Sequence, residues 1–356
     1  MFKASQLAAS AYPWVSAPFI VSAPMRVMSG PALAVAVSRA GGLGFIGPNI
    51  HTQDVVADLK EATRLLELNK STTGSRALLP GPLLPIGVGF QLWADNLEES
   101  VASIADFKPC AAWLYAPRQG QKDIDTWSHQ IRTVSPRTQI WVQVGTITET
   151  IALLKSPERP DVIVIQGAEA GGHGRANDGM GLMALLPEVA DLLKDSRIPL
   201  FAAGGIADAR GTLAALCLGA EGVVLGTRFL ATHEARIQDG YRREIVRAGD
   251  PGVTTTRTLL YNQLRGTIGW PDGYAPRTII NRSFRDQQEG VPFAELKRLH
   301  DRAMKTGDDG WGPDGRLATY AGASIGLIHD VKDAAMVVRD IREEMWRMCP
   351  PPVTKL

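Results

Sequence analysis

Between residues 18 and 230 the apolar positions fall into short runs that end near Gly or Pro, and segments with helical spacing follow several of them. The runs are Phe19–Ser22, Leu43–Ile46, Ile86–Phe90, Ala111–Tyr115, Ile140–Val144, Val162–Ile165, Leu200–Ala203 and Gly222–Leu225. They do not alternate apolar with polar, which is the pattern of parallel strands covered on both faces. Pro31–Ala40 opens with a proline in the first turn, where a missing N–H is tolerated. Thr52–Asn69 places Val55, Val56, Leu59, Ala62, Leu65 and Leu66 at helical spacing. Ile147–Lys155, Gly181–Lys194 and Ala209–Leu218 continue the alternation. Eight such strands predict right-handed βαβ units closed into an α/β (β/α)8 TIM barrel.

The rhythm changes after the eighth run. Residues 234–320 are rich in Arg, Gly and Trp, carry turn clusters such as Trp270-Pro271-Asp272-Gly273, and show no further strand-then-helix repeat. The expected division is a barrel over 1–233, a smaller inserted lid or substrate domain over 234–320, and a segment over 321–356 that completes the barrel. Val331–Met348, with Ala334, Ala335, Val338, Ile341 and Met345 on one side, is the expected closing helix, stopped by Pro350-Pro351-Pro352.

Composition narrows the function classes. The chain has 356 residues, 45% of them apolar, enough for a large core, and α/β barrels of this kind run past 200 residues as one unit. Lys+Arg (38) and Asp+Glu (37) nearly cancel, so charge gives no reason to expect nucleic acid or an acidic membrane as partner. No run approaches the ~18 apolar residues of a membrane span, and Pro13 breaks the N-terminal apolar stretch, against a signal peptide. Cys110, Cys217 and Cys349 form no framework, which fits a reducing compartment. A cytoplasmic location is expected, with a peroxisomal alternative because Thr354-Lys355-Leu356 loosely resembles a peroxisomal address. There is no HExxH run or His/Cys cluster, so no metal is expected.

Four segments carry candidate chemistry. Gly204-Gly205, after Leu200–Ala203, and Gly226-Thr227, after Gly222–Leu225, each leave a strand and enter a helix. Glycine lets backbone N–H groups approach a phosphate, and a helix N-terminus adds its dipole. The turns after strands 7 and 8 are the recurrent phosphate site of such barrels. Either turn alone is equally a plain βα connection; the pair, at that place in the count, points to phosphate. The third segment, Gln166-Gly167-Ala168-Glu169-Ala170-Gly171-Gly172-His173, is a glycine-rich loop ending in a histidine able to move a proton. A lone loop histidine is more often solvated, and its place on the catalytic face is what favours a role. In the fourth, Ala23-Pro24-Met25 gives a rigid backbone edge at the end of the first strand. His233 and His300 read as surface or insert residues. Trp270 and Trp311 read as packing for the insert, with a substrate-facing role as the alternative.

Together, Ala23-Pro24-Met25, the Gln166–His173 run, Ala203-Gly204-Gly205-Ile206 and Leu225-Gly226-Thr227-Arg228 resemble the nitronate monooxygenase family, formerly called 2-nitropropane dioxygenases, over roughly residues 15–347. The resemblance implies non-covalent FMN, its phosphate on Gly204, Gly205, Gly226 and Thr227, with Gln166 bonding the ring or ribityl chain. Gly171 and Gly172 would pass beneath the ring, and Ala23, Pro24 and Met25 would line its edge. Gln143 and Leu225 join the cofactor-binding set, and His173 matches the family's catalytic base. The segment Tyr320–Ile328 resembles the family's returning segment, which adds polar contacts near the flavin. One departure stands out: members carry Asn in strand 3, where this chain has Gly89, with Gln91 two residues on and facing the same side. The implied reaction is oxidation of a nitronate or nitroalkane by O2 to a carbonyl compound and nitrite. The expected partners are that small substrate and O2, without nucleic acid or membrane, and with a homodimer admitted. A quinone or enoyl reductase using NAD(P)H, and a non-catalytic flavin carrier, are the alternatives.

Overall fold

The computed structural model describes residues 11–68 and 82–349. Asn69, the triple proline and Thr354-Lys355-Leu356 lie outside them. Eight parallel strands close a barrel in the order β1 (Phe19–Ser22), β2 (Leu43–Ile46), β3 (Leu84–Gln91), β4 (Pro109–Tyr115), β5 (Gln139–Val144), β6 (Val162–Gln166), β8 (Leu200–Ala203) and β9 (Gly222–Leu225). Closure is by β1 on β9, with Ser22 opposite Leu225.

The absence of alternation along these runs has a direct cause. One side of each strand fills the barrel and the other packs on the helices. Phe19, Phe45, Trp113, Trp141 and Phe201 fill the interior, with edge-on or tilted rings such as Phe19–Phe201 at 4.9 Å and Trp141–Phe201 at 4.7 Å. The Trp141 Nε1–H donates to the Tyr12 hydroxyl (2.8 Å). Their neighbours Ile20, Ile46, Ala112, Ile140 and Ala202 join the helix-facing core.

The expected helices form, and two that the periodicity did not single out, Leu97–Phe107 and Gln121–Val134, complete the alternation. The closing helix, Ala334–Met348, packs on Pro31–Arg39 and Ala209–Cys217. Its Arg342 donates to the carbonyls of Ser16, Ala17, Ala40 and Gly41, tying the last helix to the first strand's approach.

The insert is not strand-free. β10 (Thr255–Arg257) and β11 (Tyr274–Ile279) make an antiparallel sheet with β7 (Gly172–Arg175), in the order β10-β11-β7. The segment read as a loop around His173 is therefore a strand, with His173 opposite Pro276 and Gly172 opposite Arg277. Gly-His-Gly-Arg has no apolar periodicity, so it becomes a strand only because β11 offers it an edge. Helices Asp239–Arg247, Leu260–Arg265, Arg282–Gln288 and Phe293–Ala303 lie in the same segment of the chain. No helix among the described residues is long and apolar enough to cross a membrane.

Candidate active site

A cavity of about 940 Å³ opens at the carboxyl ends of the barrel strands, with residues of the insert among its walls. That volume lies within the roughly 300–1,000 Å³ of small-molecule and cofactor sites. Ala23, Pro24, Met25, Gln143, Gln166, Gly171, Gly172, His173, Gly204, Gly205, Gly226 and Thr227 all line it. Leu225 does not: its side chain is fully buried among the helix-facing residues, and Val224 lines the cavity instead. Strand alternation makes that choice. Leu225 still contributes its carbonyl, which accepts the Ala23 N–H (3.0 Å).

At one part of the cavity, Gly204 (φ +104°) and Gly205 (φ +70°) hold the turn after β8 in a conformation open to glycine. Among the described residues, the N–H groups of Gly205 and Gly226 meet no protein acceptor. Thr227 Oγ1 accepts the Gly322 N–H (3.0 Å), tying the return segment to this turn. Across from it, the Met25 N–H donates to Ser29 Oγ (2.7 Å), which fixes the Pro24-Met25 edge.

Polar groups of the barrel mouth surround the middle. Gln143 Oε1 accepts the Trp113 Nε1–H (3.1 Å), leaving its amide nitrogen for a ligand. Gln91 Oε1 is buried and without a donor. Gly89 also lines the cavity, and a Cβ there would stand 2.4 Å from Pro24 Cβ. The place where Asn was expected is thus closed by the proline ring, and Gln91 is the nearest amide on that strand.

His173 closes the other part. Its backbone is pinned: the Tyr115 hydroxyl donates to its carbonyl (2.6 Å), as does Gln166 Nε2 (3.4 Å). Its ring lies face to face with Trp270, centroids 3.6 Å apart and planes 3° from parallel. Nε2 meets the Asn262 side-chain amide, 3.1 Å from Oδ1 and 3.0 Å from Nδ2. Burial, aided by Arg265, Arg257 and Arg26, holds its pKa down to about 3, with the Asn262 bond acting the other way. The imidazole is neutral at neutral pH, an acceptor of protons set in a positive field.

Arg257 anchors the loop that leads to His173. Nη1 donates to the carbonyls of Gly172 (3.2 Å) and Ala275 (2.6 Å), and Nη2 to those of Ala168 and Ala170 (both 3.1 Å). Arg277 adds a bond to Ala168 (3.2 Å). His233 is exposed, as read. His300 lies in the insert, the second of the two places read for it, where it is 3% exposed and belongs to the cavity wall, as do Trp270 and Trp311. Among the described residues no group of His, Cys, Asp and Glu could hold a metal.

The family model for nitronate monooxygenase matches residues 14–69 and 136–268. A nitronate monooxygenase of Metarhizium robertsii is 55% identical over 342 residues, 95% of this chain and 94% of that protein. The chain belongs to the nitronate monooxygenase family. These are flavin-dependent monooxygenases that act on small molecules with O2. Nitroalkane oxidase from Streptomyces ansochromogenes shares the fold at a TM-score of 0.69 and 25% identity, over 93% of this chain and 96% of that one. FabK from Thermotoga maritima does so at 0.72 and 25%, over 97% and 96%.

The site of this nitronate monooxygenase family member suits a flavin on its own terms. It has unspent backbone donors at two glycine turns, a proline-stiffened edge, an unpaired Gln91 carbonyl, and a free Gln143 amide. Asn262, Tyr115, Arg257 and Arg265 escaped the sequence reading. Three of them lie in the insert, and no spacing or periodicity links any of them to His173.

Proposed function

We propose that the flavin is FMN, that its phosphate is held by the backbone of Gly204-Gly205 and Gly226-Thr227, and that His173 is the base that makes a neutral nitroalkane reactive. One observation carries this reading: a single cavity joins the two glycine turns to the neutral imidazole of His173. A site ending on backbone donors beside a helix start suits a terminal phosphate. Gln91, Gln143 and Gln166 supply polar contacts to a planar ring, and Pro24 and Met25 a rigid edge against it.

When bound, FMN supplies the redox chemistry between the substrate anion and O2. The chain supplies the rest. A neutral His173 can accept the α-proton at any working pH, since it is not already protonated. The nitronate formed beside it carries negative charge, and Arg26, Arg257 and Arg265 stabilise that charge while disfavouring an isolated imidazolium. The proton and the anion are therefore favoured together, as a close ion pair. Trp270 and the roof of the insert restrict water around them. Oxidation then yields a carbonyl compound and nitrite.

The test is His173→Ala, assayed with a neutral nitroalkane and with its preformed nitronate. A base contributes about 10²–10⁴-fold, so the ratio of kcat/KM, neutral over nitronate, falls by at least about a hundredfold. An unchanged ratio removes His173 from that role. Extraction of the cofactor with mass determination decides FMN against other flavins.

A further inference from the structure

We propose that Asn262 is the positioning residue of this site: its Oδ1 accepts the Nε2–H of His173, leaving Nδ1 as the nitrogen that takes the substrate's proton. The proposal rests on the reading of His173 as the base. Asn262 sits on the short helix Leu260–Arg265 of the insert, is 4% exposed, and reaches Nε2 at hydrogen-bond distance. Among the described residues Nδ1 has no partner, and the ring belongs to the cavity wall.

Both amide atoms reach Nε2, and the two orientations have opposite chemistry. With Nδ2 donating, Nε2 is the acceptor and is already occupied, so the ring offers the cavity an N–H and no lone pair. With Oδ1 accepting, Nε2 carries the hydrogen and the free lone pair lies on Nδ1. Only the second arrangement is a base toward a bound C–H. It also favours the imidazolium formed on proton transfer, because a carbonyl dipole faces the ring cation. No carboxylate does this work here. The ring is stacked on Trp270, with Tyr320 at 5.9 Å, and the charged groups that reach it electrostatically are Arg26 beside β1, Arg257 on β10 and Arg265 on the helix of Asn262. An amide oxygen is thus the group that offsets three cations. The insert supplies both the amide and the stacked indole, so the barrel alone does not complete the base.

The proposal is tested on the flavin-loaded enzyme with ¹⁵N-labelled histidine. The expected spectrum gives His173 a protonated Nε2 and an unprotonated Nδ1. Asn262→Leu, which cannot accept, mixes the tautomers and lowers the ratio of kcat/KM for neutral nitroalkane over preformed nitronate by about tenfold or more, a part of what a base contributes. Asn262→Asp accepts the same hydrogen with a full charge. It restores the neutral substrate's turnover and moves the acid limb of its pH profile upward, a displacement that a merely structural role would not produce. A protonated Nδ1 in the wild type overturns the proposal, as does an Asn262→Leu enzyme with an unchanged ratio. The base reading fails separately, through His173→Ala, and the tautomer in the wild-type spectrum is read without any turnover.

Discussion

Arg257 provides a test in which two physical effects of opposite sign compete. Among the described residues its guanidinium forms no salt bridge, and it donates to four backbone carbonyls, three of them in the 168–172 stretch that leads to His173. Burial, with Arg277 beside it, holds its pKa down from 12.5 to about 10. At about 1.4 kcal/mol per pK unit, roughly 3 kcal/mol is set against the charged form. Hydrogen bonds to a charged group contribute about 1.5 kcal/mol each at the low end, so four give about 6 kcal/mol. Arg257→Met removes both effects and is expected to destabilise by about 3 kcal/mol. For a chain of this length that is a fall in Tm of about 5 °C, read by circular dichroism on the flavin-loaded protein. Arg257→Lys keeps the charge and loses the fork, and should fall between the two. The loop is expected to loosen around His173 as well, lowering the neutral-over-nitronate ratio. A methionine variant as stable as the wild type, or more so, refutes the reasoning. Arg257 would then be a desolvated cation that the fold tolerates, as buried charges sometimes are.

Other consequences follow from the same geometry. His173 stays neutral in the folded protein down to about pH 3, whereas the unfolded chain protonates it near 6.5. Its contribution is fully present above the unfolded value and is lost as pH falls from 6.5 toward 3. Between pH 7 and 5 the wild type should lose about 2 kcal/mol more than His173→Gln in urea denaturation, and equal losses would contradict a buried neutral imidazole. Gly205→Ala imposes a side chain at φ +70°, with Cβ 3.0 Å from Glu169 Cβ. FMN binding should weaken more than tenfold by equilibrium dialysis while the barrel's far-ultraviolet spectrum persists; undiminished affinity would separate the turn from the phosphate. Trp270→Leu removes a face-to-face partner worth about 0.5–1.5 kcal/mol and opens the ring to water. The His173 resonance should then titrate at higher pH than in the wild type, and an unmoved titration would show that burial comes from elsewhere.

What was legible in the chain follows from which atoms perform each task. The barrel was legible because both faces of its strands are buried: Phe19 and Ile20 point opposite ways and are both apolar, so each strand stands out as an unbroken run. The glycine turns were legible because their geometry lies in the backbone: Gly204 and Gly205 take positive φ values that other residues avoid. Leu225 marks the resolution of such reading: a one-residue step along a strand exchanges the cavity for the helix layer, and a motif match does not say which side chain of the pair turns inward. Gly89 shows that a residue missing from a pattern is interpretable only with its neighbour in space, because Pro24 occupies the place a side chain would take.

The insert was opaque for a different reason. β7 has no strand pattern of its own, and its partner β11 lies about a hundred residues away, so the sheet that presents His173 exists only as a long-range pairing. Asn262 and Trp270 reach the His173 ring from separate pieces of that insert, through an amide and an indole face, and Arg257 from a third piece holds the preceding Gly172 carbonyl through its guanidinium. None of these contacts requires a special backbone, so none leaves a glycine or a spacing to be read. The consequence is a division of labour. On the proposed reading the barrel would hold the cofactor's phosphate through backbone geometry, which survives in the sequence as glycine turns. The insert would set the proposed base's tautomer, and it supplies the burial of His173 and part of the cavity wall through side chains that only the folded chain brings together. Substitutions in 255–275 should therefore alter substrate preference and the pH profile with little change in flavin content, and substitutions at Gly205 or Gly226 should do the reverse.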